Sequence, residues 1–307
     1  MFSKARTSTF LRSSGRKSNI GMSDPAQFEI PGHLTLAEGN GGLPQLLVTT
    51  SVSTAEIYLH GAHVTAFVKN GEAPLLFMSK AGNFARDKAI RGGVPIIFPW
   101  FGPREGLSPH GFARTVEWDL KQTQLLPDGS VQVRFGLPAV KSFEVEYIVT
   151  VADTLNLELV VGNTGEKETS FETCLHTYFQ IGSIATVSVT GLKGTEYLDK
   201  VKNAVAREEE DAIRITAETD RVYFDTTTAT EIIDPTLGRT IRVEKSGSRS
   251  TVVWNPWIAK SKAMDDFGDD EYPGMICVES GNVGRNKITL PPCGRTTLKV
   301  VISSTPS

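Results

Sequence analysis

Cysteine is scarce in this chain: Cys174, Cys277 and Cys293 are the only three among 307 residues. An odd number without close pairing, together with the absence of any Asn-X-Ser/Thr site, favours a reducing interior over secretion. Long apolar runs are missing too. None approaches the roughly 20 residues that span a bilayer, so a soluble, cytoplasmic protein with no membrane partner is expected. No Gly-X-Gly-X-X-Gly follows a strand, and there is no phosphate-binding Gly-Lys-Ser/Thr loop, no Gly-X-Ser-X-Gly elbow and no Cys-X-X-Cys pair. Nucleotide binding, serine hydrolysis and structural zinc therefore lose their usual signatures. A formal charge of −3 argues against a broad basic surface for nucleic acid. Any positive site has to be local.

The first 23 residues, "MFSKARTSTFLRSSGRKSNIGMS", carry five basic residues, many serines and no acid. That is the composition of a disordered leader, or of a transit peptide that would send the protein to a plastid or mitochondrion, with Met22 as a second possible start. Without it, 27 basic residues face 35 acidic ones. An arginine cluster in the body then stands out. Residues 24–307 are expected to form one domain, and a monomer is expected.

The period that dominates after residue 50 is two. In "FEVEYIVTVADTLNLELVVGNTG", Phe143, Val145, Tyr147, Val149 and Val151 alternate with mostly polar neighbours, and after Ala-Asp-Thr the pattern resumes at Leu155, Leu157, Leu159 and Val161. This predicts a β-hairpin. Similar strands are expected in "AEIYLHGAHVTAFVKNG", "GFARTVEWDL", "VQVRFGL", "ATVSVTGL", "RTIRVEKSGSRSTVVWNP", "GMICVES" and "TTLKVVIS". Many short strands with almost no amphipathic helix indicate an all-β sandwich. The acidic run in "NAVAREEEDAIRI" reads as a solvated surface segment.

Four stretches combine titratable residues with irregular backbone. "AIRGGVPIIFPWFGPREGLSPHGFAR", Ala89–Arg114, holds four prolines and five glycines around Arg91, Arg104, His110 and Arg114, with Arg86 just before it. Guanidinium forks match a phosphate, although pairing with Asp87, Glu105 and Glu117 would explain them equally well. In "SFETCLHTYFQIG", Phe171, Leu175 and Phe179 share one strand face, and Cys174, His176 and Tyr178 share the other. Glu279 ends an apolar strand at "VESGN", either desolvated for acid–base work or merely solvated. Asp220 and Arg221 precede an aromatic strand and could form a plain surface ion pair. "HGAH" places His60 and His63 on opposite strand faces, which suits surface or core histidines better than a shared metal.

Taken together, "RGGVPIIFPWFGP", "HGFAR", "HTYF", "TDRVY" and "VESGN" occur in the order and spacing of the hexose-6-phosphate mutarotases, and residues 25–305 resemble this glucose-6-phosphate 1-epimerase branch of the aldose 1-epimerase family. The resemblance implies a galactose-mutarotase-like β-supersandwich with a sugar cleft. It implies His176 as general acid, Glu279 as general base, Asp220 on sugar hydroxyls, and Arg86 and Arg91 on the 6-phosphate. His110 matches a histidine that lies at the sugar in the wider family. The substrate implied is a phosphosugar, most simply glucose 6-phosphate, with no metal and no cofactor. Three rivals stay open at this stage: an epimerase of free hexoses, a carbohydrate-binding module without turnover, and a glycoside-processing enzyme that would use Asp220 and Glu279 as paired carboxylates.

Overall fold

A computed structural model describes residues 25–138 and 140–307. The basic leader at residues 1–23 lies outside them. The period-two segments form strands. Phe143–Val151 pairs antiparallel with Leu155–Asn163, from Phe143 opposite Asn163 to Val151 opposite Leu155, and burial alternates along both. This hairpin sits inside a nine-stranded sheet that also contains Val131–Gly136, Arg239–Ser246 and the long C-terminal strand Arg295–Pro306. Its inward side chains, among them Val145, Tyr147, Leu157, Val300 and Ile241, enter a core cluster where every one is 2% exposed or less. Burying each such side chain is worth roughly 1.5–3 kcal/mol, which pins the register against a one-residue slip.

An eight-stranded sheet packs on the other side of that core. Its centre runs from Glu196–Asp199 through Thr219–Phe224, Ser250–Asn255 and Met275–Asn282 to Thr173–Leu175 and Ile96–Ile97. Alternation sends Tyr223, Val253, Val278, Ile276 and Leu175 into the shared core. The opposite face of the same strands carries Asp220, Val222, Trp254, Cys277, Glu279 and Cys174. All eight residues of Met275–Asn282 are buried, those on this second face as well as those on the core face. The near all-β architecture is the one expected. A four-stranded meander, Leu34–Glu38 to His63–Lys69, and a small pair, Thr169–Phe171 with Ile288–Leu290, complete it.

Three local expectations change. "GFARTVEWDL" is not one strand: Ala113–Thr115 is a 3-10 turn and the strand begins at Asp119. The Ala113 amide and the Trp118 indole tie this turn down, on Phe98 O at 3.3 Å and Ala113 O at 2.8 Å. Trp257–Lys262 forms a six-residue α-helix, too short to announce itself by periodicity. The acidic run is only partly solvated, since Glu208 is buried and accepts bonds from Tyr223 Oη (2.7 Å) and Arg221 Nη1 (3.1 Å). His60 and His63 are core histidines bonded to the carbonyls of Lys88 (2.6 Å) and Gly92 (2.8 Å).

Candidate active site

Met275–Asn282 sets the floor of a cleft of about 400 Å³ on the second face of the eight-stranded sheet. Glu279 points into it from that strand and is completely buried. His176 arrives from the break between Thr173–Leu175 and Tyr178–Gln180, where its amide bonds to Pro95 O at 3.0 Å. Its Nε2 lies 3.3 Å from Glu279 Oε1, yet Oε1 takes no hydrogen bond from any described group. The other oxygen is occupied. Cys174 Sγ donates to Glu279 Oε2 across 3.4 Å. The missing side chain at Gly281 makes that reach possible, because a Cβ there would lie 2.7 Å from Cys174 Sγ and 2.5 Å from Thr173 O. A buried thiol thus holds one carboxylate oxygen and leaves the other free.

Burial pushes the Glu279 carboxyl well above its usual range, and the nearby Asp220 charge adds to the effect. Burial, followed by His110, Arg114 and Arg91, holds the His176 imidazole well below its own. Both groups are thus driven toward their neutral forms. The imidazole ring is stacked on Tyr178, with centroids 4.8 Å apart and planes at 11°. Trp254 meets it edge-on at 6.1 Å.

His110 has φ +65° and sits 5.7 Å from the His176 ring. Its Nδ1 accepts the Gly102 amide hydrogen at 3.3 Å, which leaves Nε2 to carry the proton of the neutral ring. Burial first, then Arg114, Lys200 and Arg91, press its pKa down to about 3, so it serves as a neutral donor across the physiological range. The following Gly111 is required by close approach: a Cβ would fall 1.9 Å from Phe98 O.

The arginines separate. Arg91 lines the cleft, with Nε and Nη2 on Asp266 Oδ2 at 3.2 and 2.9 Å and Nη1 on Tyr178 Oη at 2.9 Å. Arg86 does not line it. The turn at Ala85–Lys88 is held by His60 on Lys88 O and throws Arg86 outward, 76% exposed and 3.6 Å from Glu117. The second guanidinium in the cleft is Arg114, fixed by the 3-10 turn and donating to Pro109 O at 2.8 Å. Burial pushes it down to about 10, and repulsion from Arg91 contributes. An anion beside Arg114 would offset the repulsion that Arg91 exerts on it.

Asp220 also lines the cleft, but it does not pair with Arg221. Adjacent strand positions face opposite ways. Asp220 Oδ2 meets Lys200 Nζ at 3.2 Å, while Arg221 meets Glu208 on the other face. Lys200, Lys260, Tyr178, Trp254 and Met264 also line the cleft. Arg114 and Tyr178 carried a signal, lying in stretches already singled out. Lys200, Lys260 and Asp266 lie in unremarkable stretches, and sequence offered no reason to select them. A neighbouring cavity of similar size, behind Trp100 and Arg104, has Glu172 as its carboxylate, already bonded to the Phe101 and Gly284 amides. It brings no acid and base together.

The model of the aldose 1-epimerase family matches residues 44–303. The chain belongs to that family. A protein of Cenchrus ciliaris, provisionally named glucose-6-phosphate 1-epimerase, is 38% identical over 82% of each chain. One of Escherichia coli with the same provisional name is 40% identical over 74% of this chain and 79% of its own. The crystal structure of a Salmonella typhimurium protein, provisionally called a mutarotase, superposes with a TM-score of 0.83 at 31% identity, over 90% of this chain and 94% of its own. A galactose mutarotase-like protein from Clostridium acetobutylicum, TM-score 0.67 at 14% identity over 89% and 98%, shares the fold. The supersandwich expected for this aldose 1-epimerase family member is therefore the one observed.

Proposed function

We propose that this protein interconverts the α and β anomers of a hexose 6-phosphate, glucose 6-phosphate being the simplest substrate. One observation carries the reading: a buried acid–base pair, His176 and Glu279, lies in the same cleft as the two guanidiniums Arg91 and Arg114. The relatives named above for this activity support the same substrate class.

Mutarotation needs a base to take the proton from the anomeric hydroxyl and an acid to protonate the ring oxygen. The ring opens to the aldehyde, the bond between C1 and C2 rotates, and reclosure gives the other anomer. Opening delivers one proton to the base and removes one from the acid; closing reverses both. A carboxyl and an imidazole sharing one proton, each pushed toward neutrality, suit that exchange, and each positioned group supplies roughly 10²- to 10⁴-fold. With Glu279 as base and His176 as acid, a neutral carboxyl beside a neutral imidazole is the distribution of the open-chain stage. A phosphate dianion beside Arg91 and Arg114 offsets two of the charges that hold His176 neutral. Substrate binding thereby raises the imidazole toward the protonated form that ring opening requires. Asp220 accepts sugar hydroxyls, and His110 donates from Nε2.

The test is to add purified protein to freshly dissolved α-glucose 6-phosphate and follow the approach to anomeric equilibrium by NMR. Wild type should accelerate it, and His176→Ala and Glu279→Gln should each lose most of that acceleration. A folded wild type that binds the sugar without acceleration would leave a carbohydrate-binding protein.

A further inference from the structure

Glu279 has a neighbour that mutarotation does not use. Cys277 lies two residues earlier on the same strand and therefore on the same face, buried against Tyr178, Trp254 and Phe267. A ring nitrogen of His176, Cys277 Sγ and a carboxylate oxygen of Glu279 lie within 4.8 Å of one another. Glu279 Oε1 is buried, has no hydrogen-bond partner among the described groups and lies 3.3 Å from His176 Nε2.

We propose that His176, Cys277 and Glu279 form a binding site for a thiophilic divalent cation such as Zn²⁺, and that occupancy switches the enzyme off. One nitrogen, one sulfur and one oxygen donor, two of them on residues that line the cleft, are the donor set of a tetrahedral zinc centre with one free position. Side-chain adjustments of roughly half an ångström bring the atoms to the ~2.0–2.3 Å of zinc bonds. The charges balance locally: Zn²⁺ displaces the thiol proton of Cys277 and the carboxyl proton of Glu279, two protons leave to solvent, and the site stays neutral. Arg91 and Lys200 oppose a cation less than bare charges would, being paired with Asp266 and Asp220. A thiolate ligand selects Zn²⁺ or Co²⁺ over Mg²⁺ or Ca²⁺.

The inhibitory consequence rests on the reading of His176 and Glu279 as the acid–base pair; the binding does not. Co²⁺ is added to the chelator-treated protein and its thiolate charge-transfer absorption recorded, and in parallel anomerase activity is titrated with buffered free Zn²⁺. Wild type, Cys277→Ala and Cys293→Ser are compared, because Cys293 is an exposed thiol that offers a rival ligand. Each variant is referred to its own activity in chelator, and folding is checked by circular dichroism. Wild type and Cys293→Ser are expected to show the cobalt band and micromolar zinc inhibition reversed by EDTA. Cys277→Ala should lose the band and need at least about 30-fold more zinc, since even partners behind the ligands are worth roughly 10- to 100-fold. A second variant, Cys277→Ser, covers the case in which Ala unfolds the strand, and it should lack the band as well. Mg²⁺ should inhibit none of them. A band that survives in both Cys277 variants, or disappears in Cys293→Ser, or is absent from wild type, overturns the proposal. A wild type that shows the band without anomerase activity in chelator would leave the metal site standing and defeat the proposed function instead.

Discussion

Replacing Arg91 by methionine should weaken glucose 6-phosphate and spare glucose. The guanidinium is 21% exposed and held on three sides by Asp266 and Tyr178, so its direction is set before any ligand arrives. A charge-assisted hydrogen bond of this kind is worth about 1.5–3 kcal/mol. That is roughly a 10- to 150-fold rise in KM for the phosphosugar. The single variant overstates the contact, because the Asp266 carboxylate would lose its partner and repel the phosphate. Arg91→Met combined with Asp266→Asn removes that repulsion and should fall between the single variant and wild type. Losing the donor to Tyr178 could also disturb the ring on which His176 is stacked, but this would lower kcat for both sugars alike. The assay is therefore anomerisation of glucose 6-phosphate and of free glucose, with KM and kcat resolved for each. Equal losses of kcat/KM for the two sugars, or a phosphosugar KM within about twofold of wild type, would refute an anion site at Arg91.

Arg86→Ala should leave the phosphosugar KM within about twofold of wild type, since its exposed pairing with Glu117 is of the kind that contributes little; a shift as large as that at Arg91 would place Arg86 back at the ligand. Gly281→Ala should cost about 1–3 kcal/mol in urea denaturation, because the new methyl meets Thr173 O and Cys174 Sγ. It should also lower kcat by displacing the thiol that holds Glu279, and an unchanged midpoint with unchanged kcat would show that the strands absorb the methyl freely. His63 is pushed by burial down to about 3 from the ordinary 6.5. The unfolded chain therefore takes up a proton near pH 6.5 while the folded chain does not, and the stability His63 contributes is lost as pH falls from 6.5 toward 3. Glu279, whose pKa is raised, works in the opposite sense, so the clean quantity is the stability difference between wild type and His63→Gln. That difference should shrink by about 1.4 kcal/mol per pH unit between pH 6 and 4, and a pH-independent difference would mean that the ring protonates in the folded state.

The hairpin at Phe143–Asn163 and the two-sidedness of "TCLHTYF" were readable in advance because strand alternation is local: each side chain's face follows from its neighbours along the chain. His176 and Glu279 stood out locally only as titratable residues where an apolar strand is interrupted, and it was the match of "HTYF" and "VESGN" to the aldose 1-epimerase family that implied their roles. Where the sequence left alternatives open, they turned on distance. Whether Glu279 was solvated or desolvated depended on segments remote in the chain, among them the loop from Phe101 to Arg114 that shares its cleft. Whether Arg86, Arg104 or Arg114 joined Arg91 depended on a turn pinned by His60 and on the 3-10 turn at Ala113–Thr115. Asp266, Lys200 and Lys260 lay in stretches with no local peculiarity at all.

By itself, then, the sequence determined the all-β class, the strand pairing of its hairpins and the two faces of its strands. These follow from period, composition and residue chemistry, which need no partner. Tertiary structure alone decided that Oε1 of Glu279 stays free while Cys174 takes Oε2, that Arg114 and not Arg86 stands with Arg91, and that Cys277 lies beside the pair. Those are matters of distance between strands and loops far apart in the chain, and only the closing of one sheet face under its covering loops sets them.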